Sequence, residues 1–140
     1  MASINQGRLV AGGLVAGVII NVFETLCGVF YEEPWKAGLA AHNLTAPQGA
    51  EGVCFYYAMG FVAGLAVVWF YVAARSRFGP GPGTAMKVAF VFWLPFYALC
   101  AASIAALRLF PIAMMAGTAA IGLVSLLGAT TVGGWIYREE

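Results

Sequence analysis

Charge is what this chain has least of: charged side chains are 9% of its 140 residues, 7 Lys and Arg against 6 Asp and Glu. Soluble domains carry about 25%, so the shortage excludes an ordinary water-facing globule. The net charge of +1 leaves no basic surface for nucleic acid. Histidine is scarcer still. His42 is the only one and lies outside every long apolar run. No such run therefore offers an axial histidine to a haem or a ligand to a chlorophyll-type pigment. One histidine and three scattered cysteines make no metal site, and a Ser–His–acid or Cys–His set would need a nucleophile beside His42. The sequence predicts no enzyme, no metal and no catalytic residue.

Apolar length is what the chain has instead, with 62% hydrophobic residues and a mean hydropathy of +0.87. A hydrocarbon core of roughly 30 Å takes about 20 helical residues to cross. Four stretches qualify, near 9–31, 53–74, 85–107 and 112–137. They predict an all-α, four-helix integral membrane bundle occupying 1–140 as one transmembrane domain. Only Arg8 precedes the first stretch and no A-x-A site ends it, so that helix is expected to be retained as its own insertion signal. Counting basic residues near the span ends sets the orientation. Arg8, Arg75, Arg77, Lys87 and Arg138 fall on one side, Lys36 and Arg108 on the other. This predicts both ends of the chain in the cytoplasm, with the 32–52 loop facing outward.

Glycine marks the expected packing faces. Gly13 and Gly17 are four apart on helix one, as are Gly60 and Gly64 on helix two. Small residues at this spacing let backbones approach where lipid supplies no hydrophobic drive. The same helix-one face carries Asn21, Glu24 and Gly28, all five within an arc of about 80°. Glu24, in "GVIINVFETLCG", sits about 10 Å below the outer end of its span at 1.5 Å per residue. An intramembrane carboxyl is a site hypothesis by default. It either binds or relays a proton or cation, or is a neutral clasp hydrogen-bonded across a helix seam. By depth its candidate partners are Tyr57, Ser103, Thr118 and Arg108. No second ionisable group lies deep in any span, which favours the clasp.

The connections carry their own signals. In "EEPWKAGLAAHNL", Pro34 is expected at the first position of a short helix whose Trp35 and Leu39 share one side, laid on the membrane surface. Thr45 and Gln48 have capping-box spacing. The 79–83 run alternates Gly and Pro and cannot be helical, with Thr84 the expected N-cap beyond it. Pro95 inside "FVFWLPFY" predicts a kink. The aromatic group Phe90, Phe92, Trp93, Phe96 and Tyr97 could face lipid, core, or a bound quinone, carotenoid or lipid tail. "RLFP" joins helices three and four as an antiparallel hairpin, with Pro111 at the start of the fourth. Trp69, Tyr71, Trp135 and Tyr137 form one expected interfacial belt; Tyr31, Trp35, Tyr56 and Tyr57 form the other. Cys27 and Cys54 both fall near the outward side, as a disulfide or as two small apolar thiols.

Three stretches together, "GRLVAGGLVAGVIINVFE", "RFGPGPGTA" and "GGWIYREE", resemble a group of small bacterial four-helix membrane proteins with no assigned activity. The resemblance covers most of the chain. It implies a multi-pass protein of the bacterial plasma membrane and supplies no substrate, cofactor or site residue. Read whole, the sequence points first to a non-catalytic accessory or assembly subunit of a larger membrane complex, respiratory or photosynthetic. Such a subunit would contact lipids and other transmembrane subunits or itself. The alternative is a small homo-oligomeric transporter or channel using Glu24.

Overall fold

A computed structural model of the chain describes residues 4–137; Arg138 and the end of the "GGWIYREE" stretch lie outside them. Within that range every regular element is helical: α1 (Gln6–Phe30), α2 (Glu32–Ala41), α3 (Gly49–Phe78), α4 (Pro82–Trp93), α5 (Cys100–Ala106) and α6 (Ile112–Ile136). A π-helical turn, Leu94–Leu99, joins α4 to α5 and makes the two one span. Four helices are therefore long and apolar enough to cross a membrane: Gln6–Phe30, Gly49–Phe78, Pro82–Ala106 and Ile112–Ile136. They match the four stretches read from the sequence to within a few residues at each end, as fraying ends allow.

The wide turn has a physical cause. Pro95 has no N–H to give the carbonyl one turn back and its ring crowds that turn, so the ladder opens to i→i+5 bonding. The kink predicted at Pro95 thus takes the form of a π-helical turn.

α1 is the hub, packing most extensively against α3 and α6. At the α1–α3 seam, Gly64 lies directly on the backbone of Gly13 and Gly17, and a Cβ there would strike it. Gly13 and Gly17 in turn lie beneath Leu65 and Phe61, and Gly60 receives the Asn21 side chain. The α1–α6 seam is a second glycine crossing, Gly12 on Gly133, outside the four-residue glycine pairs of the sequence. Around these seams Ala16, Ile20, Val67, Val68 and Leu126 form a fully enclosed core. Ser125 and Thr130 are sealed into it with hydroxyls that have no hydrogen-bond partner among the described residues.

At one end of the bundle α2 folds back over the α5–α6 hairpin. Trp35 stacks on Phe110 with ring centres 4.5 Å apart and planes 3° from parallel. Gly38 gives Phe110 the room to lie there, and Leu39 and Tyr31 pack against Phe110, Met114 and Met115. The shared Trp35–Leu39 side therefore meets protein. The facing ring comes from the distant "RLFP" turn, a contact that the spacing within α2 does not show.

The far end holds the described chain ends together. The Asn5 backbone N–H donates to the Tyr137 hydroxyl at 3.3 Å, and Arg75 lies over the Tyr137 ring at 5.0 Å. Tyr71 is buried against Gly134 and accepts a bond from the Gly81 N–H at 3.1 Å. Tyr71 and Tyr137 are thus core residues rather than belt residues; of that predicted group only Trp69 and Trp135 face outward. Thr84 does not cap α4, which starts at Pro82 behind Gly81. Its hydroxyl instead donates to the Gly79 carbonyl at 2.7 Å, closing off the end of α3.

Candidate functional site

Glu24 is not on the glycine seam. Asn21 turns inward and is buried, whereas Glu24, one turn further along α1, is exposed. Asn21 is the seam's polar clasp: it is buried, and its Nδ2 donates to the Tyr57 carbonyl at 3.1 Å. One turn on, the Thr25 hydroxyl donates to the Asn21 carbonyl at 2.7 Å. It therefore accepts a hydrogen bond from the Tyr57 hydroxyl, 3.1 Å away. Each side chain in this loop of bonds ties α1 to α3.

The Glu24 carboxylate is exposed and lines a cavity of about 830 Å³ at the α2 end of the bundle. Asn21, Thr25 and Gly28 of α1 form one wall, Tyr56 and Tyr57 of α3 another, and Met114 and Thr118 of α6 a third. α2 roofs it with Glu32, Trp35 and Lys36. Thr45 and Gln48 line it too and form no capping box: Gln48 is the N-cap of α3 without a side-chain bond. Nor does Pro34 open α2, which begins two residues earlier at Glu32.

The partner of Glu24 is Tyr97, whose hydroxyl donates to Glu24 Oε1 at 2.6 Å. None of the four partners expected from depth bonds to it. Tyr57 serves Thr25 and Asn21, Ser103 bonds back to the Leu99 carbonyl, and Thr118 to the Met115 carbonyl. Arg108 closes the α5–α6 hairpin in a left-handed conformation (φ 56°). Among the described residues Glu24 has no ion pair.

Tyr97 belongs to the aromatic group of its span, for which the sequence leaves lipid, core or a bound quinone, carotenoid or lipid tail open. That group divides. Phe90 and Phe96 are exposed, and Phe92 stacks on Phe96 at 4.5 Å. Trp93 and Tyr97, four apart, turn inward onto α6: the Trp93 indole donates to the Ala119 carbonyl at 2.7 Å, and Tyr97 lies on Gly122. The signal was present as the i, i+4 series Ala85, Ala89, Trp93, Tyr97, which reads as an inward stripe ending in a phenol that needs a partner.

The remaining predicted residues also separate. Gly28 packs against nothing, since a Cβ there would have no neighbour within 4 Å; it lines the cavity instead. Cys27, Cys54 and Cys100 are free thiols, Cys27 buried and the other two exposed, so no disulfide joins Cys27 to Cys54. On α2 the Lys36 ammonium meets Glu32 at 2.6 Å and Glu33 at 3.8 Å. The short bond to Lys36 holds the Glu32 carboxyl below its ordinary 4.5, and Glu32 holds the Lys36 ammonium above its ordinary 10.5.

A second cavity of about 610 Å³ lies at the other end, beside Tyr71, Arg75, Thr131 and Tyr137. Its tyrosines and arginine are engaged in the contacts that hold that end closed. No family model matches the chain, and no curated protein or solved structure matches it either.

Proposed function

We propose that the protein is a multi-pass protein of the bacterial plasma membrane that binds an amphiphilic small molecule in the cavity beneath α2. The observation that carries this reading is the position of Glu24, set in the wall of a drug-sized, largely apolar cavity instead of sealed between helices. Binding sites are concavities of roughly 300–1,000 Å³ with apolar walls and a few convergent polar groups. An ionisable residue at membrane depth that lines a cavity is the usual mark of a ligand path. Basic residues support an outward-facing cavity: Arg8, Arg75, Arg77 and Lys87 lie at the end away from α2, Lys36 and Arg108 at the α2 end. In this orientation α2 lies at the outer membrane surface. The bacterial setting rests on the family resemblance. The role is non-catalytic, the binding of a solute, and is compatible with the small transporter or channel using Glu24.

The test fills the cavity from a position that touches nothing. Gly28→Trp places an indole in the cavity where a Cβ meets no neighbour. Native mass spectrometry of protein drawn from membranes in mild detergent is expected to show a small amphiphile on wild type and on Gly28→Ala, and none on folded Gly28→Trp. Equal loading of all three would reject the cavity as the binding site.

One observation favours the accessory-subunit reading as a second proposal. The third span, Pro82–Ala106, is the least buried of the four, and it presents Phe90, Val91, Leu94 and Phe96 outward. Rigid aromatics on such a face suit a partner helix, or the tail of a lipid, quinone or carotenoid. Native gels with mass spectrometry of co-migrating proteins test it: a stable larger complex supports it, and recovery only as monomer or small homo-oligomer counts against it.

A further inference from the structure

The charges around the cavity do not cancel, and that selects what it holds. Among the described residues Lys36 is the only cation lining it, and Lys36 is committed to the α2 carboxylates at 2.6 and 3.8 Å. Glu24 is left with a phenol as its sole partner on Oε1, and its second oxygen has none among the described residues. The wall beside it is aromatic: Tyr31, Trp35, Tyr56 and Tyr57 all line the same space. Ring faces attract cations, the more so where water is scarce, and a carboxylate at membrane depth without a counter-ion attracts one too. A bare metal ion fits poorly, because no group of three metal-ligating side chains occurs among the described residues. An anion would meet Glu24 and Glu32 with only one shared lysine to offset them.

We infer that the ligand is an amphiphilic organic monocation, its charged centre at Glu24 and its apolar groups among the aromatic rings of the cavity. The inference rests on the reading of this cavity as a ligand site and adds the sign of the ligand's charge. An organic cation brings its own apolar surface, so it is not asked to shed a tight hydration shell against walls that cannot replace it. The neutral Tyr97 donor steadies the carboxylate without cancelling its charge, and Glu24 Oε2 stays available to the ligand.

Two probes of nearly the same shape and opposite charge, with a smaller neutral one, separate charge from cavity. Tetraphenylphosphonium is cationic, tetraphenylborate anionic and triphenylphosphine oxide neutral. Each is titrated calorimetrically into the full chain in a neutral detergent, as wild type, Glu24→Gln and Gly28→Trp. Tetraphenylphosphonium is expected to bind tightest, to lose about tenfold or more in affinity in Glu24→Gln, and to lose binding in Gly28→Trp. The neutral probe should bind wild type and Glu24→Gln alike. Equal binding of cation and neutral probe, or tighter binding of the borate, overturns the cation assignment and leaves the cavity reading standing. Binding of none of the three overturns both. Should Glu24→Gln fail to melt cooperatively, the wild-type ranking of the three probes decides the sign by itself.

Discussion

At the scale of single residues, two polar side chains one helical turn apart do opposite work. Asn21 is enclosed, bonded to the Tyr57 carbonyl and seated on Gly60, whereas Glu24 looks into open space with one hydrogen bond. Replacing the first by Leu overpacks the contact with Gly60 and removes the bond to the Tyr57 carbonyl; replacing the second removes one partly exposed bond. Asn21→Leu should therefore cost about 2 kcal/mol or more, while Glu24→Leu should stay within about 1 kcal/mol, the usual range for a hydrogen bond between membrane helices. Thermal unfolding in detergent checks the ranking, and a larger loss at Glu24 would restore it to the seam. The sequence alone could not separate these two residues. Both fall inside the same arc of about 80°, and only the course of α3 decides how far along α1 that face is covered.

At the scale of elements, glycine spacing was legible where two backbones meet and misleading where they do not. Gly13, Gly17, Gly60 and Gly64 all sit in the α1–α3 seam, as their four-residue spacing indicates, yet Gly28 continues the same stripe beyond the crossing and meets nothing. A Cβ at Gly64 would strike the Gly17 backbone, which cannot step aside as a side chain could. Gly64→Ala should lower stability by about 1–3 kcal/mol as an overpacked contact. Gly28→Ala should be neutral or stabilising, because helix propensity favours alanine by up to about 1 kcal/mol. Melting both variants side by side tests the seam, and equal losses would contradict it.

The α2 element is held differently. Its ion pair is fully solvated and screened, so the Trp35–Phe110 stack carries the docking. Since Glu32 lies below its ordinary value, the contribution of its pair with Lys36 is fully present above about pH 4.5 and fades as acid protonates the folded-state carboxyl. Lys36, raised, keeps its share until alkaline pH passes its ordinary 10.5 and then its folded value. Trp35 emission should accordingly hold steady from about pH 5 to 9 and shift only outside that window. A midpoint near neutrality would place another titrating group in control of α2.

At the scale of the molecule, the four spans were legible because hydropathy and length are local properties, and all four appear within a few residues of their expected ends. The cavity was not legible, because it arises from how α2 returns over the bundle. That return depends on Trp35, Gly38 and Phe110, residues some seventy positions apart that no pattern search pairs. The Tyr97–Glu24 bond was hidden for a related reason: the i, i+4 stripe shows which way Tyr97 faces but not which residue of another helix meets it.

At every scale Glu24 faces a cavity and not a sealed seam. Cysteine accessibility measures it directly, in a background with Cys27, Cys54 and Cys100 replaced by alanine. A water-soluble, membrane-impermeant methanethiosulfonate is added to the outer face of intact cells or oriented vesicles carrying Glu24→Cys, with Ile20→Cys as the enclosed control (2% exposed). With the proposed outward orientation, Glu24→Cys is expected to be modified, Ile20→Cys is not, and adding Gly28→Trp is expected to protect Glu24→Cys. A Glu24→Cys thiol as inert as the one at position 20, in protein that melts like wild type, would contradict the account.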